Sequence, residues 1–124
     1  MEVSKRLGFL MASAAVDLAH LARYTGGDAA LNAEILRLFD NQASEMVARL
    51  QSILDARDAK SWKEVTHTLK GAARGIGAFG LGDAAAAAEP IDPSADSVTA
   101  AAALLALQSK TSAVQFFIRA YLGA

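Results

Sequence analysis

Asp58-Ala59-Lys60-Ser61-Trp62-Lys63-Glu64-Val65-Thr66-His67-Thr68-Leu69-Lys70-Gly71-Ala72-Ala73-Arg74-Gly75-Ile76-Gly77-Ala78 is the stretch from which the rest of the chain can be placed. A helix advances about 100° per residue. On that wheel Trp62, Val65, Leu69, Ala72, Ala73 and Ile76 share one side. Lys60, Lys63, Lys70, Gly71, Arg74 and Ala78 gather within about 60° of His67 on the other. The spacing predicts an amphipathic helix from about Ala59 to Ala78, capped by Asp58, with its apolar side inward and His67 outward.

Upstream, Leu7, Leu10, Ala14, Leu18 and Leu21 recur at three and four residues, predicting a helix from about Val3 to Tyr24. Gly26 and Gly27 end it, and Asp28 caps a second helix running to about Arg57. Its expected buried side is Leu31, Ile35, Leu38, Phe39, Gln42, Met46, Leu50, Ile53 and Leu54. Downstream, Gly77, Gly80 and Gly82 cluster at the end of the His67 helix, and a short alanine helix covers about Asp83 to Ala88. The alanine run implies close helix packing. Pro90 to Asp96 is the loop, and a last helix runs from about Ser97 to Leu122 with Leu104, Leu107, Thr111, Val114, Ile118 and Tyr121 facing in. No strand pattern or repeat is present. The expected fold is all-α, an antiparallel four-helix bundle with an additional N-terminal or short helix, forming a single domain over residues 1–124. A dimer of helical hairpins is the alternative.

Composition agrees. The chain has 124 residues, 53% hydrophobic, with two prolines and many alanines, which suits closely packed uninterrupted helices. With no cysteine there is neither a disulfide scaffold nor a thiolate metal site. A net charge of −1 gives no general attraction for nucleic acid or anionic membrane. Lys5 and Arg6 before Leu7 to Ala15 have the outline of a short signal peptide, but Asp17 and His20 interrupt the run and its spacing is helical. No apolar run is long enough to span a bilayer. A cytoplasmic monomer is expected, and Met1 together with the end near Gly123 suggests a complete small protein.

The His67 side has one chemical character. Lys70 and Gly71, three and four residues on, are surface neighbours of His67. An exposed neutral imidazole is a competent nucleophile, and a phosphoryl group placed on it would bring negative charge that Lys70 can offset. Glycine costs a helix about 1 kcal/mol against alanine, so Gly71 in an alanine-rich helix has a purpose. With no side chain there, a large partner can bring its reactive group down onto His67. Gly75 extends the bare strip, although glycines also allow another helix to pack closely.

The run His67-Thr68-Leu69-Lys70-Gly71-Ala72-Ala73-Arg74-Gly75-Ile76-Gly77-Ala78 resembles the signature of histidine-containing phosphotransfer (HPt) domains, a histidine followed by x-Leu-Lys-Gly, small residues and Gly-Ala. Leu81 and Glu89 fall where that family has a leucine and a glutamate, and Thr25-Gly26-Gly27-Asp28 with Leu31 and Phe39 resembles its first turn and second helix. The resemblance spans about Asp17 to Glu89. It implies a four-helix bundle with the histidine midway along one helix. His67 would be the phosphoacceptor, through Nε2. Lys70 would contact the phosphoryl group and Gly71 would keep the histidine accessible, while Arg74 transfers less directly. The partners implied are the receiver domain of a response regulator and a sensor or hybrid kinase. Mg²⁺ is expected only on the receiver, with no cofactor or metal on this chain.

Other residues receive simpler readings. Lys60, Lys63 and Glu64 share the His67 side, as a solvated face or as determinants of partner choice. Arg74, Gly75, Lys63 and Glu64 are therefore the candidate binding residues. His20 is expected to be an exposed residue without function, and it lacks the further ligands that a zinc site with His67 would need. Trp62 is assigned to the core, and Phe79 to the flank of the docking face, beyond the helix end. Phe9, Met11 and Val16 are candidates for an apolar docking patch. There is no nucleotide-binding loop and no Ser-His-Asp arrangement, so neither a kinase acting alone nor a hydrolase is expected. The alternatives are a helical docking module that inhibits a kinase or receiver without carrying phosphate, a domain cut from a larger kinase, and a plain structural bundle.

Overall fold

Aspartates and glycines divide the chain into its helices. A computed structural model describes residues 15–123, and among them five helices and no strand occur: α1 (Leu18–Thr25), α2 (Ala29–Asp55), α3 (Ala59–Ile76), α4 (Phe79–Ala88) and α5 (Ser97–Leu122). Asp17, Asp28, Asp58 and Asp96 cap α1, α2, α3 and α5, each carboxylate accepting from the backbone N–H three residues on. Gly26, Gly77 and Gly123 end α1, α3 and α5 in the left-handed conformation. The α2–α3 turn instead places Arg57 at φ 53, the only positive φ at a non-glycine among the described residues.

The fold is the expected all-α bundle, with a change in which helices form its walls. Helices α2, α3, α4 and α5 each pack on their sequence neighbours, and α5 closes the ring on α2. The short alanine helix α4 is therefore a full wall, and α1 packs at the edge against α2 and α3. Antiparallel order shows in the cross-links. Trp62, early in α3, donates its indole N–H to Ala88 O at the end of α4 (2.9 Å), and Asn32, early in α2, donates to the Tyr121 hydroxyl late in α5. Ala73, Ala85, Ala88 and Ala100 are fully buried, so the alanines let α4 approach both neighbours. Trp62 is fully buried, as expected.

Several expectations need correction. The first helix does not run through from Val3. Asp17 caps a helix that begins at Leu18, and its N–H donates to Gly77 O (2.9 Å), pinning the chain to the end of α3. Residues 3–14 of that expectation, with Phe9 and Met11, lie outside the described residues. Val16 is buried in the core and cannot serve a docking patch. On α2 the buried line is Asn32, Leu36, Phe39, Ala43, Leu50 and Ile53, while Leu31, Leu38 and Gln42 are exposed. Phe39, Leu50 and Ile53 are buried as expected and Ile35, Met46 and Leu54 are half-buried, but Asn32, Leu36 and Ala43 each sit one residue after Leu31, Ile35 and Gln42, a local rotation of about 100°. On α5 the expected inward residues are buried except Tyr121, which is half-buried, and Phe117 joins them. Helix α4 begins at Phe79 rather than Asp83, so Gly80 and Gly82 lie inside it, and Ala78 is buried rather than on the His67 side. His20 is half-buried, packed edge-on against Phe79 (5.0 Å between ring centroids) and Tyr24 (5.6 Å).

Candidate functional site

Helix α3 lays its apolar side on the core through Trp62, Val65, Leu69, Ala73 and Ile76, which leaves Lys60, Lys63, Glu64, His67, Thr68, Gly71, Arg74 and Gly75 exposed. His67 stands midway along this face with 68% of its side chain open to solvent. One of its ring atoms is nonetheless fixed. Nδ1 lies 2.9 Å from Glu89 Oε1, just beyond the end of α4. The antiparallel packing of α4 on α3 brings these residues together across 22 positions of sequence.

Lys70 completes the group. Its ammonium lies 3.0 Å from the same Glu89 oxygen. The Lys70 ammonium first, and the His67 ring second, hold the Glu89 carboxyl below the usual carboxylate range. Glu89 is then an acceptor only near neutral pH, so Nδ1 must be the donor. In the neutral ring this puts the proton on Nδ1 and the free lone pair on Nε2, the atom facing away from Glu89.

The surroundings are open on one side and anchored on the other. A Cβ built at Gly71 or Gly75 meets no described heavy atom within 4 Å. Neither glycine is there to let a described helix pack closely. Arg74 is engaged with α4, its guanidinium 3.6 Å from Asp83 and its aliphatic stem lying over Gly82. No described polar contact joins it to His67. Lys60, Lys63 and Glu64 line a shallow depression beside His67. Of the candidate residues, then, His67 and Lys70 converge on one carboxylate, Gly71 and Gly75 form bare surface, Lys63 and Glu64 flank the ring, and Arg74 stands apart.

Glu89 is the residue that reading the helix wheel missed. Its partner lies on another element, and only its place in the family resemblance signalled it. Among the described residues no three His, Cys, Asp or Glu side chains gather closely enough to hold a metal ion. None of the described helices is long and apolar enough to cross a membrane.

No curated protein and no solved structure matches the chain. The family model of the Hpt domain matches residues 34–116, a span that contains α3, α4, His67, Lys70 and Glu89. The chain belongs to the Hpt domain family, whose members serve histidine phosphotransfer in phosphorelays.

Proposed function

We propose that this chain is a phosphocarrier that accepts a phosphoryl group on His67 Nε2 and exchanges it with the aspartate of a receiver domain, between a sensor or hybrid kinase and a response regulator. The observation that carries this reading is the exposed His67 ring held at Nδ1 by Glu89, which leaves Nε2 as the ring nitrogen with no described partner. The Nε2 lone pair attacks the phosphorus of the receiver's aspartyl phosphate in line. An N–P bond forms, the P–O bond to the aspartate breaks, and the aspartate leaves as a carboxylate. The imidazolium character that develops in the ring is stabilised by Glu89 through the Nδ1 proton.

Phosphoryl transfer needs positioning and charge neutralisation more than covalent help from the protein. Lys70 supplies a cation within one turn of His67, and its ammonium can move from Glu89 toward the added phosphoryl oxygens. Gly71 and Gly75 leave the approach clear, and Lys63 and Glu64 flank it as residues that select the partner. Mg²⁺ belongs to the receiver and not to this chain. Both the phosphohistidine and the aspartyl phosphate are high-energy, so the exchange is reversible. The chain needs no kinase activity of its own, and it works in the cytoplasm, where a kinase's nucleotide is available.

A small-molecule donor tests the assignment without a partner. Phosphoramidate should phosphorylate the protein at one site, with a ³¹P signal and proton couplings of Nε2-phosphohistidine, lost on His67→Gln. Phosphorylation at Nδ1, or on another residue, would contradict the reading.

A further inference from the structure

Helix α5 is apolar on both sides. Its inner line, from Ala100 to Ile118, is buried in the bundle. Its outer line holds Val98 (80% exposed), Leu105 (67%) and Phe116 (67%), which with Tyr24 are the four most exposed large hydrophobic side chains of the described residues. A helix that is apolar all round is ordinarily covered on both faces. The outer residues also keep a register. Val98, Leu105 and Ser112 recur every seven residues, and so do Ala102, Ser109 and Phe116, the two sets alternating at four and three as the seam of a coiled coil does. The residues between them on this line, Ala102, Ser109 and Ser112, are small and uncharged, and exposed Thr99 and Lys110 lie about 100–120° round the helix from Val98.

We propose that the outer face of α5 pairs with the same face of a second copy of this chain, antiparallel about a two-fold axis near residue 107. That register sets Val98 against Phe116 of the partner subunit, Leu105 against Ser109 of the partner subunit, and Ala102 against Ser112 of the partner subunit. Each layer then joins a residue of one seven-residue set to a residue of the other, the arrangement that an antiparallel pair requires. A large side chain meets a small one at the Leu105 layer, so the helices can interdigitate. Charge favours the same direction. Exposed Asp92 and Asp96 lie at the start of α5 and exposed Arg119 at its end, so antiparallel helices bring opposite charges to the same level and a parallel pair would not. The helix dipoles agree.

The area suits a reversible dimer. The three large side chains offer on the order of 300 Å² per copy, and the small residues between them about as much again. The pair then buries about 1,200 Å² in total, the lower edge of specific interfaces. Helix α3 lies diagonally across the ring from α5. Both His67 rings therefore stay outside the interface, and the dimer would present two independent phosphoacceptor faces pointing away from each other. The proposal departs from the monomer expected from sequence and does not depend on the phosphocarrier reading.

Sedimentation equilibrium of the full chain tests it, with loading from about 1 μM to about 1 mM. The expected mass rises from that of one chain toward twice that value. Leu105→Glu with Phe116→Glu should hold the mass at one chain throughout, with helical circular dichroism and melting unchanged at about 1 μM, where the parent is also a single chain and both positions are exposed. Leu38→Glu, on the exposed side of α2, should dimerise as the parent does. A parent chain that stays monomeric at the highest loading overturns the proposal. So does a dimer that survives the α5 variant or is lost with Leu38→Glu.

Discussion

At the scale of single residues, one carboxylate is shared by an imidazole N–H and an ammonium. Glu89 Oε1 accepts from His67 Nδ1 and from Lys70 Nζ. Glu89→Gln would keep the size of the side chain and remove the obligate acceptor, since an amide can also donate. Transfer to His67 should fall by about ten-fold or more, by analogy with the cost of removing the partner that orients a metal-binding imidazole. The ¹⁵N shifts of the His67 ring should at the same time show a mixed tautomer population, which a merely structural loss would not produce. Gly71 gives the complementary test. A Cβ there meets nothing, and the position is an ordinary helical one, so Gly71→Ala should raise stability by about 0.5–1 kcal/mol. Gly71→Gln should also fold, yet slow transfer from a receiver by about 100-fold through displaced docking. Thermal melting and single-turnover transfer on the same variants separate the two effects.

At the scale of elements, the caps were the most legible part of the sequence. Asp28 and Asp58, each standing before an apolar period, marked the starts of α2 and α3, and Gly26 marked the end of α1, because capping is chemistry between neighbours in the chain. The buried line of α2 was legible only in part: Phe39, Leu50 and Ile53 were, and Asn32, Leu36 and Ala43 were not. Its apolar residues lie on more than one face, and the true line begins with Asn32, a polar residue buried because Tyr121 of α5 takes its amide N–H. Only the neighbouring helix reveals that. Gly77 carries a constraint of both kinds. Its φ of 87 favours glycine, and a Cβ there would lie 2.6 Å from Asp17 O. Gly77→Ala should cost about 1–3 kcal/mol, the opposite sign to Gly71→Ala six residues earlier, as chemical denaturation would measure.

At the scale of the whole molecule, the ring of α2 to α5 explains why the wheel of one helix predicted the exposed face but not its key contact. Local periodicity set His67, Lys70 and Gly71 on one side of α3. Which carboxylate meets them depends on the antiparallel return of α4, whose start at Phe79 and role as a wall were hidden by Gly80 and Gly82. The packing of His20 on Phe79 was hidden for the same reason. Acid stability is also a property of the whole. Glu89, held by Lys70 and then His67, and Asp58, Asp92 and Asp96, held by the hydroxyls and backbone N–H groups of Ser61, Ser94 and Thr99, all sit below their ordinary values. Groups lowered on folding stabilise the native state fully above their unfolded values. That contribution disappears as pH falls through the lowered folded values. The melting temperature should therefore be level near neutrality and decline below about pH 4, and Asp58→Asn should shrink that decline.

Transfer itself is the most direct test of His67 as the phosphoacceptor. A phosphorylated receiver domain and Mg²⁺ are mixed with the protein at neutral pH, and the intact mass is read before and after mild acid. The expected result is one added phosphoryl group on the parent chain, removed by acid and absent from His67→Gln. A receiver that binds the chain yet leaves it unlabelled, or an equal label on the His67→Gln variant, would contradict it.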